Sequence, residues 1–454
     1  MVNARPLLVA ALLLGAHVAV AQTPSPAAKP ADIVAAVAAS SVELDENAAN
    51  IDDDMQAYID ASGLGARERL HEISVLRGTA TVQVRSENPD WIQQRSLAYT
   101  EALLNAQADY VKNQRTVNTN DTVATMFKAA GQEPPPYDNA DKDNGKTADL
   151  LRKLVGLASG KLDQELRELN IDPKQFEAMS EPQRHVQLQN KLSVRSTEKS
   201  FGELVGLTPT QTFERNDGKG NCTIGVVAVV SPALKEFAQQ VLKQRGEFLP
   251  DPTRVQDIAK IYASKPALVR DFGVRRMFDE QGLPVIVSFA QWSSSYLGGD
   301  PVLAEEYRRA AREQAEQMAD AQITDFLKGS IEFTRTSETG RTLEEAAERM
   351  QDGSVIQEAA TRTLLDAMAK TIRRQSSATL TGLQTLARWS LVHPDAPSQH
   401  IIGVIRMWSA AGEKATRALH DGRAAAPARA SAEPAPATAP TVKTGRSLMD
   451  ASDF

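Results

Sequence analysis

The segment "NCTIGVVAVVS", Asn221–Ser231, returns far downstream as "QHIIGVIRMWS", Gln399–Ser409. Both run Ile-Gly-Val, then mostly apolar residues, then Ser. Apolar runs of this length, rich in Val and Ile and bounded by polar turn residues, read as strands. A chain that carries one strand twice has few architectures open to it, and the surroundings narrow them. In the first half "ELVGLTPTQTFER" and the Gly-rich "NDGKGN" precede the strand, which predicts a β-hairpin. In the second half "LTGLQTLARWSLV" and "HPDAPSQ" take those places. A helix follows each strand, over Pro232–Arg245 and Ala410–His420.

The upstream order is duplicated as well. "ISVLRGTATVQVRS", Ile73–Ser86, has strand character, with Ala80, Val82 and Val84 alternating against Thr81 and Gln83. Asn88-Pro89-Asp90 then signals a helix start. In that helix Ala98, Ala102 and Ala106 recur every fourth residue, a smooth stripe that can lie close to a sheet. "LPVIVSFAQWSSS", Leu283–Ser295, is the matching strand, with Val285, Val287 and Phe289 on one face. Asp300-Pro301 opens its helix, striped by Ala311, Ala315 and Ala319. Each half therefore reads strand, long helix, insertion, strand, turn, strand, helix. The expected class is α+β: two tandem copies of a small sheet backed by a long Ala-striped helix, with helical insertions and disordered termini.

The domain boundaries follow. Residues 1–21 read as a signal peptide: Arg5 supplies the positive charge, Leu7–Val20 the apolar core and Ala19-Val20-Ala21 the cleavage site. The apolar run is shorter than the roughly 20 residues of a membrane span. In "LLGAH", His17 stands where a lipoprotein would carry its acylated Cys, so the product is expected to be exported, periplasmic or secreted, and not lipidated, with no transmembrane segment after cleavage. Residues 22–68 are a flexible leader and a weak helix, 69–245 the first repeat with a helical insertion, and 246–282 a helical connector. Residues 283–421 are the second repeat, with insertion helices at "TLEEAAERM" and "VIQEAATRTLLDAMAKTIRRQ". Residues 422–454 are an Ala/Pro-rich linker and tail.

Length and charge limit the function classes. The 454 residues suffice for two or three domains. The net charge of −7, without a basic block, gives nucleic-acid binding no support. Cys222 is the one cysteine, so no intrachain disulfide can form; at the start of an apolar strand it reads as a small buried side chain, with a reactive thiol or an intermolecular disulfide as the alternatives.

The chemical motifs are incomplete. Gly145-Lys146-Thr147 has Ala140 where a phosphate loop needs its first Gly. Asp138, Asn139, Asp141 and Asp143 lack the register and the terminal Glu of an EF-hand. Ser196-x-x-Lys199 and Lys443-Thr444-Gly445 echo penicillin-binding enzymes, without the S-D-N element. The histidines are never at metal-ligand spacing; His393 and His400 flank one turn, where they can meet across a hairpin or simply lie on the polar surface. No catalytic, cofactor or metal residue is assigned. Trp292 and Trp408 end the duplicated strands, and Trp389 lies on the hairpin partner of the latter. They read as core or, exposed together, as a contact patch. Leu448, Met449 and Phe454 end the tether and read as a frayed tail or as a docking peptide.

The strand, the helix with Ala98, Ala102 and Ala106 and the returning strand, repeated with Ala311, Ala315 and Ala319, resemble a known family: the N-terminal domain of flagellar assembly protein T and the LPP20-type outer-membrane lipoproteins. The resemblance covers about a third of the chain. It implies a small α/β domain in a non-catalytic envelope protein, often part of a larger assembly. The absent lipobox Cys and the long insertions depart from that pattern. The expected function is a structural or adaptor component working through protein–protein contacts, with envelope proteins or a second copy as partners and no cofactor. The alternatives are an envelope hydrolase, or a small-ligand binder with its pocket between the repeats.

Overall fold

The computed structural model describes residues 46–133, 144–157, 162–244, 246–294, 296, 298–328, 381–420 and 443–444. Helices α1 (Glu46–Ala61) and α2 (Leu64–Arg69) lead into strand β1 (Ser74–Thr81) and the long helix α3 (Trp91–Ala129). Helices α4 (Asn144–Leu157), α5 (Asp163–Glu168), α6 (Pro173–Ala178) and α7 (Glu181–Gly202) form the first insertion. The hairpin β2 (Thr208–Asn216) and β3 (Cys222–Val230) and helix α8 (Pro232–Gln244) close the first half.

The connector holds short helices α9 (Ala259–Ala263) and α10 (Lys265–Leu268), and it also contributes strand β4 (Gly273–Phe278). Expected as a helical connector, it has these helical pieces and also a strand, where Val274, Met277 and Phe278 bury beside β5 (Pro284–Trp292). Helix α11 (Pro301–Lys328), strands β6 (Leu383–His393) and β7 (Ala396–Ser409) and helix α12 (Ala410–His420) complete the second half. Strand β8 (Lys443–Thr444) comes from the tail. The turn between β6 and β7 is Pro394-Asp395 alone, tighter than the expected "HPDAPSQ".

The two sheets are ordered β1-β3-β2-β8 and β4-β5-β7-β6. All described neighbours are antiparallel. β1, β3 and β2 correspond to β5, β7 and β6, so the fold is α+β with the strand order written twice. Even the irregularities match: β2 breaks register between Pro209 and Gln211, β6 between Thr385 and Ala387.

The layers alternate. Ile51, Met55 and Ile59 of α1 pack on Phe213, Val227 and Val229 of the first sheet. Its other face carries α3, whose stripe residues Ala98, Ala102 and Ala106 are all buried. The opposite side of α3 meets the second sheet: Trp91, Ile92 and Tyr99 share one core with Val285, Val287, Phe289, Ile401, Ile405 and Met407. Helix α11 covers the far face, with Ile323, Phe326 and Leu327 against Ile286 and Trp408. The order is therefore helix, sheet, helix, sheet, helix. The distal half of α3 leaves the sheets and builds a separate helical core, in which Phe127, Leu154, Phe176 and Leu192 are buried. There Asn118 and Thr119 of α3 bond to Ser200 and Ser196 of α7.

The duplicated Ile-Gly-Val strand now has a physical reason. Gly225 stands opposite Phe213, and Gly403 opposite Trp389. A Cβ at Gly403 would overlap the Trp389 indole, and one at Gly225 would press on Ile51 and Met55. In each sheet the glycine leaves room for a large side chain to lie across the strand. Gly78 of β1 has a parallel role beneath the alanine stripe, where a Cβ would collide with the Ala102 carbonyl and the Ala106 amide.

Gly78→Ala is expected to destabilise the protein by about 1–3 kcal/mol through overpacking against backbone. Gly156→Ala, on α4 with nothing near a new Cβ, is expected to stabilise it by about 0.5–1 kcal/mol. Chemical denaturation of the two variants checks both signs.

Candidate functional site

Helix α3 presents Arg95 to the space between the sheets, and the side chain is fully buried. Burying a guanidinium demands a counter-charge and filled hydrogen-bond sites. Glu214 of β2 supplies the charge: its Oε2 accepts from Arg95 Nε at 3.1 Å and Nη2 at 2.6 Å. Nη1 donates to Gln291 Oε1 of β5 at 3.0 Å, and Nη2 also donates to the Val269 carbonyl at 2.7 Å. Gln291 Nε2 in turn donates to the carbonyls of Leu268, Val269 and Asp271. The Phe272 ring lies 4.9 Å from the guanidinium carbon, a cation–π contact. One residue on, Ser96 Oγ donates to the Gln291 carbonyl at 3.0 Å.

His393, at the end of β6, completes the cluster. It is fully buried, edge-on to Trp91 at 4.9 Å between ring centres. Its Nδ1 accepts from the Asp395 amide at 3.2 Å, which assigns the proton to Nε2 in the neutral ring. Nε2 lies 3.4 Å from Glu214 Oε1, close enough for charge to act but not aligned as a formed hydrogen bond. Nearby, Arg270 and Asp395 pair at 3.1 Å. The cluster thus draws on α3 and β2 of the first half, β5 and β6 of the second, and the connector between them.

The protonation states follow from the surroundings. Burial alone would raise the Glu214 carboxyl; Arg95, and then His393, outweigh it and hold the group well below the usual carboxylate range. Burial lowers His393, and the pull of Glu214 only partly offsets it, so the ring stays neutral further into acid than an ordinary histidine. Cys222 Sγ lies 3.8 Å from Glu214 Oε1. Burial first, and the Glu214 charge next, push its thiol well above the usual value. A buried thiol held protonated is a poor nucleophile, and Cys222 is a packed core residue.

A second feature is open to solvent. A cleft of about 620 Å³ lies at one end of the first sheet, between Glu68, His71, Tyr110, Glu203, Ser231 and Lys235. Tyr110 donates to Glu203 Oε2 at 3.2 Å, and burial, then Glu203, raises its hydroxyl pKa. Glu68 is committed to the Val75 amide at 2.9 Å. The cleft lies in the first repeat, whereas buried residues of both sheets and of α3 share one core. Among the described residues no group of three or more His, Cys, Asp and Glu is placed to hold a metal ion.

The residues singled out from the sequence separate. Trp408 is fully buried against α11, with its Nε1 3.4 Å from Glu413 Oε2. Trp389 is buried on the opposite face of the same sheet, over Gly403. They form no joint surface patch, because each fills a different core. Trp292, ending β5, is half-buried. His393 is buried and His400 exposed, so the two do not meet. Ser196 faces α3 while Lys199 is exposed. Lys443 and Thr444 form β8, whereas Leu448, Met449 and Phe454 lie outside the described residues, as do the insertion helices of the second half.

Sequence reasoning missed Arg95, Glu214, Gln291 and His393. The segment Thr208–Asn216 is largely polar and gives no sign in sequence that Glu214 is buried with the residues before it, where a lone carboxylate requires a cation.

The comparisons bear on part of the chain. A family model described as a domain of unknown function (DUF6844) matches residues 147–243. That span takes in most of α4, α5–α7, β2, β3 and most of α8, and omits β1 and α3. The crystal structure of a hypothetical protein from Francisella tularensis is similar at 23% identity and a TM-score of 0.49, over 82% of this chain and 93% of that one. No curated protein matches the sequence.

Arg95→Met is expected to cost about 3–5 kcal/mol, because it leaves Glu214 buried without its cation. The double variant Arg95→Met/Glu214→Gln should recover much of that loss, and a double-mutant cycle in urea measures the coupling. The histidine adds a pH dependence. Its folded pKa lies below the ordinary 6.5, so its contribution is full above that value and is lost as pH falls through 6.5 toward the folded pKa. The slope is at most about 1.4 kcal/mol per pH unit. Glu214 adds a second loss, starting below its ordinary 4.5. Unfolding titrations between pH 7 and 5 should therefore be flatter for His393→Gln than for the parent chain.

Proposed function

We propose that this chain is an exported bacterial envelope protein that acts as a structural or adaptor component through protein–protein contacts. The observation that carries the reading is the inward direction of its strongest chemistry. Arg95 and Glu214 are each 1% exposed at the side chain and His393 0%, and they join the two halves. A group that must act on a substrate has to be reached by it; these groups are sealed and serve cohesion. The apolar surface, by contrast, is partly turned outward. Val302 is 66% and Tyr307 49% exposed on the first turns of α11, with Leu303 between them and Tyr296 stacked on Tyr307 at 5.2 Å. Exposed apolar residues gathered on one projecting helix end suit a partner surface. The leader, residues 1–21, supports export, and the alanine-striped repeats resemble envelope-assembly domains.

The experiment is affinity purification of the tagged chain from an envelope extract, with three comparisons: the parent, Val302→Ser/Tyr307→Ser, and a chain lacking Arg446–Phe454. Stoichiometric envelope proteins that are lost from either variant are the expected result. Recovery of no envelope protein by the parent overturns the adaptor reading and returns attention to the Tyr110–Glu203 cleft as a small-ligand site.

A further inference from the structure

A sheet edge exposes unpaired amides and carbonyls, and proteins cover or blunt such edges. The edge at β1 is blunted by side chains: Glu68 accepts from the Val75 amide, Asn105 donates to the Thr79 carbonyl, and Gln83 donates to the Thr81 carbonyl. The opposite edge of that sheet, β2, is covered by the chain's own tail, with Thr444 opposite Phe213 and Lys443 opposite Glu214. β6 is the counterpart of β2 in the second sheet. It pairs with the glycine strand through an aromatic residue at the same place and carries the same break in register. Among the described residues no strand pairs with the outer side of β6. It is also the longer strand, 11 residues against 9.

The chain thus has two equivalent strand-accepting edges and one segment shown to fit that kind of edge. That segment occupies β2 and cannot occupy β6 at the same time. We propose that the outer edge of β6 takes the segment around Lys443–Thr444 from a second copy of this chain, by antiparallel strand addition. The incoming Thr444 and Lys443 would stand opposite Trp389 and Ser390, the positions equivalent to Phe213 and Glu214. The Ala/Pro-rich residues before the segment suit an extended tether between copies. The proposal does not rest on the adaptor reading, since the partner is the chain itself.

The test uses the full chain and a synthetic peptide of residues 440–450, followed by amide hydrogen exchange. At ten times its Kd the peptide should slow exchange across Leu383–Leu391 by on the order of tenfold, leaving β2 unchanged. A Lys443→Pro peptide should not protect: Lys443 pairs with the outward-facing backbone of the edge strand, and proline cannot donate at that position. Unchanged exchange at β6, protection confined to β2, or equal protection by the proline peptide overturns the proposal. Sedimentation of the full chain supplies a second reading. A concentration-dependent dimer that dissociates on Lys443→Pro agrees with tail exchange, and a dimer unaffected by it, or a strict monomer, does not.

Discussion

Helix α3 is covered on two sides. The first sheet takes one part of its surface and the second sheet another, so on its first turns only a narrow side, with Leu97 and Glu101, is left to solvent. An ordinary sheet-packing helix needs an apolar stripe on one face only. Here small residues are required toward the first sheet, where backbone meets backbone at Gly78, and large ones toward the second, where Trp91, Ile92 and Tyr99 reach across. A charged residue on the covered part of these turns has to find its partners inside the protein. Arg95 does so in both halves at once, and the remaining arrangement follows from that. Glu214 is drawn into a buried strand, Gln291 is fixed by three connector carbonyls, and His393 is held neutral at the edge of the same field.

A buried ion pair is weak evidence for net stability, since its desolvation offsets much of the attraction. Its effect on specificity is easier to defend here. The apolar contacts between the halves tolerate sliding by a fraction of a side chain, whereas Arg95 satisfies its donors only when Glu214, Gln291 and the Val269 carbonyl are all in place. The cluster therefore selects one registration of the two sheets about α3.

The duplication was legible in the sequence because it resides in local pattern. Strand periodicity, the four-residue alanine spacing and the order of elements all survive as near-neighbour signals. The alanine residues of both stripes are buried as expected. What the sequence concealed is non-local. β4 lies in the segment expected as a helical connector, and its short run is a strand by pairing with β5. The buried cluster joins residues more than a hundred positions apart, each unremarkable beside its sequence neighbours. The tryptophans read as core or as one contact patch; Trp389 and Trp408 are buried, and they differ by one in strand parity across the register and so face opposite sides of the sheet.

The second sheet shows what a duplication keeps and what it releases. Both copies retain a glycine opposite an aromatic residue, although the void is filled differently: by Ile51 and Met55 of α1 in the first copy, and by the indole of Trp389 itself in the second. The difference follows from position in the stack. The face of the first sheet that carries Gly225 receives α1, a helix able to send aliphatic side chains into the gap. The corresponding face of the second sheet receives α3, which is already occupied with the first sheet and with the Arg95 cluster. The larger indole closes from within its own sheet a gap that α3 does not fill. Two copies of one domain have thus diverged where their neighbours differ, and have kept the strand pairing that depends on neither neighbour.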